Sequence, residues 1–231
     1  MENRIRKTIQ SIKSHWKFST PGHDLSHFMS VYNNAKRALA GVRLEDDNQK
    51  ELIYLACLCH DLDDRKLVPE GSPKWFYTKK ILNIAGISEE NIIKVIELIA
   101  LVSCSTQNKE ESEDHVEKWK LIPRDCDRLE ALGNIGIKRC KEYTEHTKMP
   151  YHTDDTPRCK TKDELYSIAT PERYKEYKGG SRSMIDHYYD KLLHIHKLDS
   201  GNTYLQEMAN VRHNKMVNYV LAYWSNLNYN D

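Results

Sequence analysis

The residues best suited to chemistry gather in one short stretch. Leu55–Leu67 reads LACLCHDLDDRKL, an apolar run that passes straight into the imidazole of His60 and the carboxylates of Asp61, Asp63 and Asp64. Acids at the C-terminal end of a helix oppose its dipole, and three so close together repel one another. A divalent cation offsets both effects, because imidazole and carboxylate together suit Mn, Fe, Co, Ni, Zn or Mg. Two other segments carry matching residue types. GHDLSHFMSV holds His23 and His27 four apart, on one face of a helix, with Asp24 between them. RDCDRLEALG holds Asp125 and Asp127 among Ile122, Leu129 and Leu132. Each segment alone has an ordinary explanation. A lone histidine is more often packed or exposed than a ligand, and acids at a helix end are commonly solvated. The order His, His-Asp, Asp is what makes the combination specific.

These residues need helices to position them, and helical periodicity dominates the chain. Ile5, Ile9, Ile12 and Trp16 form one apolar face, and Thr20-Pro21-Gly22 breaks the pattern. A second helix is predicted from about His23 to Ala40. A third, capped by Asp46 or Asp47, carries Leu52, Leu55, Ala56 and Cys59 up to His60. If it continues to Asp64, Asp64 lies one turn beyond Asp61 on the same face. Trp75–Ala85 reads as a helix stopped by Gly86, and Ser88 opens the next. Its Ile92, Val95, Ile96, Ile99 and Val102 make a surface apolar enough for core or for a homodimer interface. Lys109–Asp114 is a solvated charge run. Trp119–Leu132 is helical, followed by a Gly133-x-x-Gly136 break. Residues 147–182 form a polar connector of low periodicity with the character of a lid. Helices over Met184–Leu198 and Thr203–Asn226 close the chain. No strand-like alternation longer than four residues occurs. The expected fold is all-α, an irregular multi-helix bundle in one domain spanning residues 1–231.

Composition sets limits on function. The chain has 231 residues, a formal net charge of +1, 39% hydrophobic and 30% charged residues. A chain of this length buries roughly 70% of its unfolded surface without staples. No basic stripe with interleaved aromatics points to nucleic acid. No apolar run reaches membrane-spanning length, and the N-terminus lacks a signal-peptide core. Cysteines at 57, 59, 104, 126, 140 and 159 form no C-x-x-C pair and sit in apolar patterns, as reduced buried thiols do. A cytoplasmic location is expected.

The motifs together resemble the HD superfamily of metal-dependent phosphohydrolases, and most of all its compact bacterial-type branch. GHDLSHFMSV, LACLCHDLDDRK, DCDRLEALGNIGIKR, SMIDHYYDKLLHI and NVRHNKMVNYVLAYW match that branch in order, over roughly Gly22–Trp224. The family's usual Arg three residues after His27 is Ser30 here. The resemblance implies an HD-domain fold, one divalent metal ion, and metal ligands at His27, His60, Asp61 and Asp127, with Asp125 orienting the site from behind. Periodicity instead turns Asp125 the same way as Leu129, so the choice between Asp125 and Asp127 stays open. The resemblance further implies that a water activated by the metal attacks phosphorus, with Asp61 and Asp64 as catalytic acids and Asp64 moving the proton. A phosphate substrate needs cations, for which His23, Lys66, Arg128, Arg139, His187 and Lys191 are candidates. His187 and Lys191 lie four apart beside Gly179-Gly180-Ser181-Arg182. The expected partner is a small phosphate ester, a nucleotide above all, with cleavage of a nucleoside triphosphate to monophosphate and pyrophosphate. A metal- and nucleotide-binding sensor is the alternative, with Ser30 as its best support. A two-iron oxygenase on the same scaffold needs more histidines near the doublet, and only His115 lies between His60 and Asp127.

Overall fold

The computed structural model describes residues 1–18, 23–102 and 116–227. Among the described residues there is no strand beyond an isolated bridge at His23, and the chain is all-α as its periodicity requires. The helices are α1 (Glu2–His15), α2 (Leu25–Ala38), α3 (Asp47–Cys59), α4 (Phe76–Ile84), α5 (Glu89–Ala100), α6 (Ile122–Glu130), α7 (Gly133–Thr147), α8 (Lys162–Ile168), α9 (Pro171–Glu176), α10 (Met184–His187) and α11 (Thr203–Leu227). A 3-10 turn at Lys118–Leu121 precedes α6, and a π-helical turn at Tyr188–Leu192 follows α10. The Thr20-Pro21-Gly22 break, the Lys109–Asp114 charge run, Cys104 and His115 lie outside the described residues. The other five cysteines are free thiols.

The chain divides into two compact units. The first comprises the described residues of Met1–Asp127 and Asp199–Leu205. Its centre is α3, where every residue from Leu52 to Cys59 is buried. A helix apolar all round must be enclosed, and α1, α2 and α5 pack against it. Ile92, Val95, Leu98, Ile99 and Val102 of α5 and its C-terminal end belong to this core. Side-chain caps fix three helix starts: Asp24 accepts from His27 N at 3.0 Å, Asp46 from Asn48 N at 2.9 Å, and Ser88 from Asn91 N at 3.4 Å. Caps of this kind contribute about 1 kcal/mol each. Arg124, only 1% exposed, donates to Asp199 at 2.7 Å, and Asp125 accepts from Ser200 N at 2.8 Å. These two bonds tie the Asp199–Leu205 segment to α6.

The second unit comprises the described residues of Arg128–Leu198 and Gln206–Asp231. Met184, Ile185, Tyr188, Tyr189 and Leu192 supply its buried apolar face. The 147–182 connector is more built than its composition suggests. It carries α8 and α9, capped by Thr161 and Thr170, with Pro171 at the first helical position. Arg173 of α9 bridges Asp186 at 2.6 Å and also binds Asp190. Thr156 donates to the second Asp186 oxygen at 2.9 Å. The expected break falls between Glu130, where α6 ends, and Gly133, but the Gly133-x-x-Gly136 stretch itself begins a further helix, α7. Gly133 adopts φ +70, and a Cβ there would meet Arg212 Cβ at 3.0 Å. A Cβ on Gly136 would lie 2.2 Å from the Ala131 carbonyl oxygen. Both glycines exist for close backbone approach.

Candidate metal centre

Three elements of the first unit converge on one point. α2 brings His27, the chain just past α3 brings His60 and Asp61, and α6 brings Asp127. His27 Nε2 lies 3.1 Å from His60 Nε2, 3.7 Å from Asp61 Oδ2 and 3.3 Å from Asp127 Oδ1. His60 Nε2 lies 3.3 Å from Asp61 Oδ2 and 3.6 Å from Asp127 Oδ1. His60 Nδ1 lies 3.0 Å from the Cys57 carbonyl. A carbonyl only accepts, so Nδ1 carries the hydrogen and a neutral His60 points its Nε2 lone pair into the cluster. Phe28 packs against both imidazoles, with ring centroids 6.1 Å from His27 and 5.6 Å from His60. The side chains of His27 and His60 are 4% and 2% exposed, so the imidazoles cannot turn away to water.

This donor set fits a divalent cation. Ligand atoms in adjacent positions around an ion with bonds of about 2.1 Å sit roughly 3.0 Å apart or slightly more, as these atoms do. Two nitrogens and two carboxylate oxygens suit first-row transition metals and Mg. The local field points the same way. Burial alone pushes His60 down and Asp61 and Asp127 up. The charge and hydrogen bonds between them reverse this, holding His60 well above the usual imidazole range and both carboxylates below theirs. The cluster therefore concentrates negative charge that a cation would meet.

The structure distributes the acids of HDLDD among three tasks. α3 ends at Cys59, so the segment continues in tight turns rather than as helix. Leu62 N donates to Cys59 O, and Asp64 N to Asp61 O, both at 3.1 Å. Asp61 faces the imidazoles. Asp63 accepts from Tyr77 N at 2.9 Å and Thr78 N at 2.8 Å, capping α4. Asp64 closes a local turn by accepting from Lys66 N at 2.8 Å. The helical offset expected between Asp61 and Asp64 is thus replaced by a turn. His23 also departs from expectation. It precedes the Asp24 cap and lies outside α2, so it shares no helical face with His27. Its Nδ1 lies 2.7 Å from Asp61 Oδ2.

Of the two α6 acids, Asp127 approaches the imidazoles, whereas Asp125 is fully buried and bound to Ser200 N. Lys66 is exposed in the first unit. Arg128, Arg139, His187 and Lys191 belong to the second unit. There, Arg139 donates to the Glu130 carbonyl at 3.2 Å. His187 lies 3.4 Å from Ser181 Oγ, and burial followed by the Lys191 charge pushes its pKa down to about 4. Lys191 sits over the Tyr177 ring at 5.7 Å. The Cys57 carbonyl and the Asp63 cap had no side-chain signal of their own; both become visible only once the end of α3 is known.

No family model matches the chain. It is 40% identical to protein L803 of Acanthamoeba polyphaga mimivirus, over 96% of both chains. It is 27% identical to YpgQ of Bacillus subtilis (strain 168), over 94% of this chain and 89% of that one. Among solved structures it resembles an HD-superfamily hydrolase from Bacillus thuringiensis, with a TM-score of 0.67 at 22% identity over 98% of each chain. It also resembles Bacillus subtilis YpgQ in complex with ADP, with a TM-score of 0.63 at 22% identity, over 95% of this chain and 94% of that one. This chain belongs to one family with L803, and its all-α fold is the one that the Bacillus thuringiensis HD-superfamily hydrolase adopts.

Proposed function

We propose that the chain acts as one HD-type, divalent-metal-dependent phosphohydrolase on nucleotides, cleaving a nucleoside triphosphate to monophosphate and pyrophosphate. The observation that carries this reading is the convergence of one Asp61 and one Asp127 oxygen on the paired His27 and His60 Nε2 atoms, each oxygen within 3.7 Å of both imidazoles. The presence of ADP in the Bacillus subtilis YpgQ structure supports a nucleotide as the substrate class.

When bound, a divalent ion supplies a polarised phosphoryl oxygen and a water acidified toward neutral pH. The chain's own residues do the rest. Cys57 O fixes the His60 tautomer. Phe28 keeps the imidazoles in place and excludes water from one side. Asp64, held by its turn with Lys66 N, takes the proton of the attacking water or returns one to the leaving group. Within the unit that carries the cluster, His23 and Lys66 are the cations we assign to phosphate.

The test is to strip the purified protein of metal and restore Mn, Co, Ni, Zn or Mg separately. Each form is then assayed on a panel of nucleoside mono- and triphosphates for phosphate and pyrophosphate release. Metal-restored pyrophosphate release from triphosphates is expected. Tight metal binding without release from any nucleotide overturns the hydrolase reading and favours a sensor. Asp64→Asn separates the two again: an enzyme loses about 100-fold or more in rate while keeping nucleotide affinity, on the scale of a lost general base.

A further inference from the structure

Asp61 occupies an unusual position for a metal ligand. It follows the end of α3, so no helical lattice orients its side chain, and rotation about its terminal torsion is soft. Yet it is only 15% exposed, with Oδ2 turned toward both imidazoles. Among the described residues, the one side chain outside the His27, His60 and Asp127 set that contacts this carboxylate is His23, with Nδ1 2.7 Å from Oδ2.

That distance differs in kind from its neighbours. The separations of the His27 and His60 Nε2 atoms from each other and from the Asp61 and Asp127 oxygens run from 3.1 to 3.7 Å. Atoms sharing an ion stand about 3.0 Å apart or more, whereas 2.7 Å is the length of a charge-assisted N–H to carboxylate bond. His23, His27 and Asp61 do lie close enough to be counted as a cation-sized triad of their own. A second ion there would have to share the Asp61 oxygen and the His27 ring with the first set. Imidazole Nε2 has a single lone pair, and that of His27 already faces His60 and Asp127.

We infer that His23 is a positioning residue: its Nδ1–H holds Asp61 Oδ2 on the ligand shell, and His23 itself coordinates no ion. The inference rests on the metal reading above. It also gives His23 a duty beyond phosphate binding. A histidine supporting a ligating carboxylate from outside the shell typically carries 10- to 100-fold in metal affinity.

The experiment is calorimetric titration of the metal-stripped protein with Mn2+, comparing the unsubstituted chain with His23→Ala, His23→Asn and Asp61→Ala. Thermal melting of each metal-free form checks the fold. His23→Ala should bind about 10- to 100-fold more weakly, and His23→Asn, whose side-chain amide can donate in place of Nδ1–H, should recover most of the loss. The number of ions bound per chain should stay the same in the unsubstituted protein and in His23→Asn. Unchanged affinity in His23→Ala, with only KM for nucleotide raised, would assign His23 to substrate and overturn the inference. So would a second bound ion that His23→Ala removes. Failure of the unsubstituted protein to bind Mn2+ at all would instead sink the metal reading itself, and Asp61→Ala provides the reference for that loss.

Discussion

Asp125 and Asp127 are two residues apart on α6, and their substitutions should have opposite signatures. Asp127 stands 3.3 Å from His27 and 3.6 Å from His60. Asp127→Ala should abolish metal binding and reduce turnover about 1000-fold or more, while removing only a partly exposed side chain from the fold. Asp125 has no part in the cluster. Its Oδ2 takes the Ser200 amide at 2.8 Å, in a fully buried setting. Asp125→Ala leaves that N–H without its acceptor, a loss of about 1–3 kcal/mol. Its melting temperature should therefore fall while metal affinity in the folded protein changes little. Calorimetric Mn2+ titration and thermal melting on both variants check the pair. His60→Ala should behave like Asp127→Ala, because Cys57 O then has no imidazole to orient.

The elements that carry these residues end where caps and turns end them, and that is where sequence reading was weakest. The presence of α1 through α5, α10 and α11 was legible because their apolar faces repeat at helical spacing. The termini around the site were not. Asp24 could have been an interior residue, yet it caps α2 and expels His23 from the helix. Asp63 could have been one more solvated acid, yet it reaches across to α4. Such roles depend on partners distant in the chain: Tyr77 and Thr78 stand 14 and 15 residues beyond Asp63. The same blindness hid α7 behind its glycines, and hid α8 and α9 inside a segment too short-patterned to show periodicity. Asp63→Ala should cost about 1 kcal/mol as a lost helix cap, read as a lower urea midpoint, with a much smaller effect on turnover than Asp61→Ala. Gly136→Ala should cost more, about 1–3 kcal/mol, because its new methyl meets the Ala131 carbonyl rather than open space.

For the molecule as a whole, acid sensitivity should reside in histidines kept neutral by burial rather than in the metal ligands. His187 and His213 both have pKa values pushed down to about 4, by burial first and then by neighbouring charge from Lys191 for His187 and from His196, His194 and Lys162 for His213. His213 is wedged between a Tyr166 hydroxyl at 2.8 Å and the His196 ring at 3.7 Å, and its Nδ1 is buried without a partner. A second proton there has no acceptor. The sign follows directly. In the unfolded chain both imidazoles take protons below about pH 6.5, whereas in the folded chain they stay neutral until about pH 4. Between those limits the unfolded state binds more protons, so stability falls as pH falls, by up to about 1.4 kcal/mol per pH unit for each residue. His60, raised in the fold, opposes this decline in the metal-free protein while pH falls through about 6.5, where its unfolded imidazole is still taking up a proton, and adds little slope below that. Asp61 and Asp127 are held ionised, so their loss comes only at lower pH. Urea unfolding of the metal-free protein at pH 7.0, 6.0 and 5.0 should therefore show a steady decline. The decline should be shallower in His213→Gln and in His187→Gln, even where these variants start less stable at pH 7. Lines parallel to that of the unsubstituted protein would mean that neither imidazole sets the acid limit, and that His194 and His196, which burial also pushes down, carry the decline.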